Sequence, residues 1–232
     1  MRTVQILSQV APPHTAPEAL CQRLVQACAD ALPVTGVGMV LMTDSGPAGV
    51  MAATDGPAAT MEELQFTLGE GPCVESSRTG RPVLQPDLAV TGPPRWPAFS
   101  AGALEAGIRA IFALPLRVGG IRLGVLDLYR DEPGDLDPTS LTDALHFADA
   151  GTVLLLHLQS LAPAGTDVVA VPVLEDRTQV HQATGVLSVQ ADVPLNHALA
   201  LLRARAYAEG RPVLELARAV LGGQVRFDVD DG

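Results

Sequence analysis

The sequence predicts an α+β protein in two parts: an antiparallel sheet flanked by helices, followed by an all-α unit of three helices. Three observations carry this. The four β-compatible runs all lie before residue 131 and come in pairs joined by turn residues. From residue 173 onward the apolar residues recur at three- and four-residue spacings, the period of a helix face. Charge changes sign between the parts: residues 1–176 hold 9 Arg against 20 acids, or −11, whereas residues 177–226 hold 6 Arg against 3 acids, or +3.

Taken in order, residues 17–32 place Leu20, Leu24, Val25, Cys28 and Leu32 on one face of an amphipathic helix that opens on Pro17. Residues 36–42 and 49–54 read as strands joined by the turn Asp44-Ser45-Gly46-Pro47. Pro72, Pro82, Pro86 and the prolines of 93–97 then break the chain into loops and short helices. Residues 109–116 and 123–130 form a second hairpin across Val118-Gly119-Gly120, where glycine tolerates the positive φ of a tight turn. A long helix follows from Pro138 to about Ser160, capped by Asp137, with a seam of Leu141, Leu145, Ala148, Thr152, Leu155 and Leu158 or Gln159. Residues 161–172 lack a helical period and read as a linker. Helices are expected at 173–190, 195–209 and 212–221, and residues 226–232 form an acidic tail.

A chain of 232 residues with 47% hydrophobic content can bury a sizeable core. No apolar run reaches the roughly 20 residues that span a bilayer, and the N-terminus lacks a signal-peptide pattern, so a cytoplasmic location is expected. Cys21 and Cys28 stand two helical turns apart, about 10 Å, beyond disulfide reach, and a reducing compartment fits. All 15 basic residues are arginine, which leaves every cationic contact to a guanidinium fork.

The ordered runs Leu68-Gly69-Glu70-Gly71-Pro72-Cys73, Arg81-Pro82-Val83-Leu84, Arg95-Trp96-Pro97-Ala98-Phe99, Leu114-Pro115-Leu116 and Gly124-Val125-Leu126-Asp127-Leu128-Tyr129 resemble a GAF domain of the actinobacterial regulator type. The resemblance covers about residues 14–160 and places a sensory domain, with its flanking helices, in residues 1–160. It implies a concave, mostly apolar pocket for an unidentified small-molecule effector. The run Arg177-Thr178-Gln179-Val180-His181-Gln182-Ala183-Thr184-Gly185-Val186-Leu187, then Ala198 to Leu202 with Arg203 and Ala206, then Leu216-Ala217, resembles an ANTAR domain over 173–225. Thr184, Ser188 and Pro212 replace that family's usual lysine, methionine and lysine. The resemblance implies binding to paired RNA stem-loops and transcription antitermination.

Arg203 and Arg205 lie on the second helix of this part and Arg211 at the turn beyond it, with Tyr207 between. Guanidinium forks suit phosphates and an aromatic ring can stack on an unpaired base, with Arg177 and Gln182 extending the surface. A solvated face with Tyr207 in the core is the plainer alternative. Gly185 inside a helix predicts close packing against a neighbour.

Catalytic patterns are absent: no Gly-x-Ser-x-Gly elbow, no phosphate loop and no His-Glu-x-x-His occur. No metal site or cofactor is expected. His146 and His157 are about 16 Å apart along one helix, and Glu62-Glu63 and Asp131-Glu132 read as surface charges. Cys73 is the one candidate reactive thiol, at the start of a helix whose dipole would favour a thiolate, with a small packed residue as the alternative. A sulfoxide reductase of the GAF type would need its cysteines gathered at one pocket, whereas Cys21 and Cys28 belong to the first helix. The reading is a non-enzymatic, signal-responsive RNA-binding regulator. A sensory or dimerisation module whose helical tail binds a protein partner is the alternative. The seam at 141–158 and the stripe Val173, Val180, Ala183 and Leu187 predict a homodimer.

Overall fold

The computed structural model describes residues 2–43, 46–54, 56–161 and 173–227. The chain divides into two compact units, Met1–Phe66 with Glu70–Ala170 and Thr67–Gly69 with Val171–Gly232.

The first unit opens with α1 (Thr3–Val10) and α2 (Pro17–Ala31), followed by β1 (Gly36–Thr43) and β2 (Gly46–Ala53). Then come α3 (Pro57–Leu68), α4 (Pro72–Thr79), β3 (Val83–Gln85), α5 (Leu88–Thr91) and α6 (Pro97–Glu105). The hairpin β4 (Ala110–Val118) and β5 (Ile121–Arg130) leads into α7 (Pro138–Leu161). The strands form one antiparallel sheet in the order β2-β1-β5-β4-β3. Both expected hairpins are present, and Gly119 takes the turn at φ 58°. Strand β3 lies where only loops and short helices were expected. Three residues between Pro82 and Pro86 carry too little periodicity to announce a strand, and pairing with β4 makes it one.

Both sheet faces are covered, which explains why β4 and β5 read as almost unbroken apolar runs. Alternation sends Val37, Met39, Phe112, Leu114, Leu126 and Leu128 into the main core, where they meet α1, α2 and α7. The other residues of the same strands, Gly38, Ala113, Asp127 and Tyr129 among them, face α3 and α4.

Asp137 caps α7 as expected, its carboxylate accepting from Thr139 N–H at 2.9 Å and Ser140 N–H at 3.1 Å. The seam of α7 is rotated from the one read in the sequence. Ala144, Phe147, Ala148, Ala150, Gly151, Leu154 and Leu155 are the buried set, while Leu145 is 42% exposed. The helix carries more apolar residues than one face can bury, so spacing alone leaves the orientation open.

The second unit packs α8 (Val173–Gln190), α9 (Leu195–Ala208) and α10 (Val213–Leu221). Val180, Ala183 and Leu187, Ala198, Leu202 and Ala206, and Val213, Leu216 and Val220 form its core, each set at helical spacing. Thr184 is buried and donates back to Val180 O at 2.7 Å, and Ser188 closes the end of α8 through Val193 O at 2.6 Å. Gly185 does not serve the close helix contact expected of it: a Cβ there would meet nothing within 4 Å. Ala183 on α8 and Ala206 on α9 are both fully buried. The expected linker at 161–172 lies, but for Leu161 at the end of α7, outside the described residues, as do most of the acidic tail and the side chain of Val173 in the expected dimer stripe. No helix among the described residues is long and apolar enough to cross a membrane.

Candidate functional site

The most unusual chemistry lies between the sheet and helices α3 and α4 of the first unit. Five polar or ionisable side chains meet there at almost no exposure: Glu62 2%, Gln65 1%, Cys73 0%, Asp127 0% and Tyr129 0%. Buried groups of this kind are expensive unless paired, so a cluster of them marks a site worth explaining.

Each position follows from local structure. Asp127 and Tyr129 are two apart on β5 and therefore share a face. Asp127 has Gly38 of β1 and Ala113 of β4 as its cross-strand neighbours, both small enough to leave space above the carboxylate. Glu62 and Gln65, three apart on α3, lie over that space. Gly38 makes way for Glu62, because a Cβ there would overlap the Glu62 carboxylate and the side chain would have to move. Cys73 is brought in at the first turn of α4 by Gly71, whose φ of 132° only glycine adopts readily.

A hydrogen-bonded chain ties these groups together. Tyr129 O–H donates to Glu62 Oε1 at 2.8 Å, and Gln65 Nε2 donates to the Tyr129 oxygen at 3.2 Å. The other end of the same amide, Gln65 Oε1, accepts from Cys73 N–H at 2.8 Å. Asp127 is the exception: neither carboxylate oxygen has a well-formed hydrogen bond. Burial pushes its pKa up to about 7, while Cys73 and Gln65 stand close enough to pull it partly back. Burial, and then the negative charges of Glu62 and Asp127, hold the Tyr129 phenol well above its ordinary range. The ligand atoms of Glu62, Cys73 and Asp127 lie within 4.8 Å of one another, close enough to share a cation.

Residues 14–155 match the family model for the GAF domain. The chain belongs to the GAF family. Its fold is also that of solved GAF domains. The GAF domain of an Acinetobacter phosphoenolpyruvate-protein phosphotransferase superposes with a TM-score of 0.54 at 13% identity, covering 68% of this chain and 93% of that one. The corresponding domain from Coxiella burnetii gives 0.51 at 18% identity, with 69% and 96% covered. A domain of a putative two-component sensor histidine kinase from Sinorhizobium meliloti gives 0.52 at 16%, with 63% and 94% covered. None of the curated proteins matches the chain. The GAF match makes the first unit a signal-sensing module and does not extend to the three C-terminal helices.

Within this GAF domain the expected motifs have structural roles. Arg95 pairs with Glu75 at 2.5 Å, donates to Gln85 at 3.3 Å and lies 4.3 Å over the Trp96 ring, tying the loop before α6 to α4 and β3. Cys73 does open a helix, but it is fully buried and beside two acids. Both features favour a packed or ligating thiol over an exposed nucleophile. Cys21 and Cys28 sit on α2 in the main core, where burial pushes the Cys21 thiol up to about 11 and Cys28 higher still. Glu62 is not the surface charge it was expected to be, whereas Asp131 and Glu132 are exposed. A buried acid next to another acid in sequence looks like a solvated pair until the helix is placed on its sheet. Asp127 did carry a signal, a lone acid in an apolar run.

The structure divides the RNA-binding candidates of the second unit. Arg203 and Tyr207 are one turn apart on α9 and share a face. Arg205, two residues from each, projects to the other flank of the buried stripe. It pairs with Glu209 at 2.7 Å, donates to Arg226 O at 3.1 Å and lies 4.9 Å over the Phe227 ring. Arg211 joins the same acid at 3.1 Å. Gln182 is exposed on α8, and the side chain of Arg177 lies outside the described residues. Tyr207 is 53% exposed and so is not a core residue.

Proposed function

We propose that this GAF protein is a non-enzymatic, cytoplasmic regulator. A signal received by its first unit controls RNA stem-loop binding by its three C-terminal helices, acting as an ANTAR-type output on transcription termination. The supporting observation is Tyr207, a large aromatic left exposed one turn from Arg203 in a segment of net charge +3. An exposed ring beside guanidinium groups suits stacking on an unpaired loop base with phosphate contacts alongside. The commitment of Arg205 and Arg211 to Glu209 favours the second reading, in which the basic residues organise a surface for a protein partner.

Binding of a stem-loop, compared with a loop-free duplex of equal charge, separates the two. Tyr207→Ala is expected to weaken stem-loop binding by about 1–3 kcal/mol with little change in salt dependence. Arg203→Ala should weaken it and flatten the slope of log K against log salt by somewhat under one unit. Arg205→Ala, on the opposite flank of α9 and paired with Glu209, tests whether that flank belongs to the same surface. Equal affinity for stem-loop and duplex at physiological salt would discard RNA recognition in favour of the protein partner.

A homodimer fits this reading, though not through the expected stripe, of which Val180, Ala183 and Leu187 are buried within the second unit. Leu145, Val153 and Leu156 are 42%, 45% and 41% exposed and fall within one outward stripe of α7, a surface suited to pairing with a second copy. Sedimentation at micromolar concentration should show a dimer that Leu156→Glu shifts to monomer, and a wild-type monomer would refute it.

A further inference from the structure

We propose that Glu62, Cys73 and Asp127 form a binding site for one divalent transition-metal ion, held between β5 and the helices α3 and α4. The inference deepens the sensory reading by naming the chemical class of ligand the GAF domain takes, and it rests on that reading only for what the metal would signal.

Four features support the site. Its three ligand atoms come from separate elements yet lie within 4.8 Å of one another. Ligands around a four-coordinate zinc stand roughly 3.3–3.8 Å apart, as bond lengths of about 2.0–2.3 Å require, so small side-chain rotations close the gap. Asp127, fully buried on the sheet, turns two carboxylate oxygens without a well-formed hydrogen bond into this space. Such an acid is costly without a partner of opposite charge, and a cation supplies one. The outer contacts are those of a supported metal centre: Tyr129 holds Glu62, and Gln65 bridges Tyr129 to the backbone of Cys73. Gly38, the cross-strand neighbour of Asp127, lets the Glu62 carboxylate approach it, since a Cβ at that position would overlap the Glu62 side chain.

The donor set selects the class of metal. One thiolate and two carboxylates are too soft for magnesium or calcium and suit zinc or ferrous iron. Three protein ligands leave a fourth position open, the arrangement of a centre that takes a further small ligand. The positions 62, 73 and 127 have no ligand spacing in sequence, so the expectation of no metal site had nothing to contradict it.

Cobalt(II) is the probe, added to full-length, chelator-treated, reduced protein under anaerobic conditions. Loading is done both on native protein and during refolding from urea, so that a closed access route cannot hide the site. The expected result is one equivalent bound, with a thiolate-to-cobalt charge-transfer band that zinc abolishes. Cys73→Ser should lose the band, Cys21→Ser should keep it, and Asp127→Asn should weaken binding at least about tenfold. Should Cys73→Ser fail to fold, Asp127→Asn carries the comparison. No cobalt bound by either route, or a band unchanged in both Cys73→Ser and Asp127→Asn, would overturn the site. Because no RNA is present, failure here leaves the output reading standing, and loss of RNA recognition leaves this one.

Discussion

Asp127→Asn is expected to leave chelator-treated protein about as stable as wild type at pH 4 and roughly 4 kcal/mol more stable at pH 8. In the unfolded chain the carboxyl ionises near its ordinary value of about 3.9, but in the fold burial raises it to about 7. Between those values the folded state holds a proton that the unfolded state has released. Stability therefore falls as pH rises from about 4 to about 7, by about 1.4 kcal/mol for each pH unit, and this contribution is flat on either side. Asparagine cannot ionise, so that slope should vanish. Glu62, Cys73 and Tyr129 face the same carboxylate, and Tyr129 is held well above the window. Urea unfolding from pH 4 to pH 8 measures the effect as a difference in slope between the two proteins. Parallel curves would mean that Asp127 ionises normally and that the cluster is wetter than its burial shows.

In the monomeric Leu156→Glu background, Phe147→Ala should cost about 3–5 kcal/mol, the range for truncating a buried aromatic, whereas Leu145→Ala should stay within about 0.5 kcal/mol. Phe147 is fully buried in the main core, and Leu145, two residues earlier on α7, is 42% exposed. The spacing of α7 had assigned Leu145 to the packed seam and left Phe147 out. Denaturant midpoints at matched m-values would decide between the two orientations, and equal losses at the two positions would show that α7 sits differently on the sheet.

Much of the architecture was legible because it depends on local rules. Asp137-Pro138 announced the start of α7, and Gly119-Gly120 announced the hairpin of β4 and β5. The three C-terminal helices lie within a residue of the expected bounds, since Pro194 and Pro212 mark their starts and the apolar spacing fixes their extents. The ordered motifs from Leu68 to Tyr129 likewise pointed to the GAF family. Strand β3 was not legible, because three residues become a strand only when a neighbour supplies the ladder.

Of the buried cluster, the sequence pointed only to Cys73. It determined that Asp127 and Tyr129 share one strand face, which follows from the repeat of the backbone, whereas the shared face of Glu62 and Gln65 came only with α3, a helix that the sequence did not announce. Which of those faces meet was decided by tertiary packing: α3 crosses the sheet where Gly38 leaves space, and Cys73 enters from a separate helix. The same holds for the second unit, where sequence supplied six arginines and a tyrosine in a helical segment, and the packing of α9 sent Arg203 with Tyr207 to one flank and Arg205 to the other. Local periodicity is written in the chain one element at a time. The convergence of side chains from different elements depends on how those elements pack, which no single segment encodes.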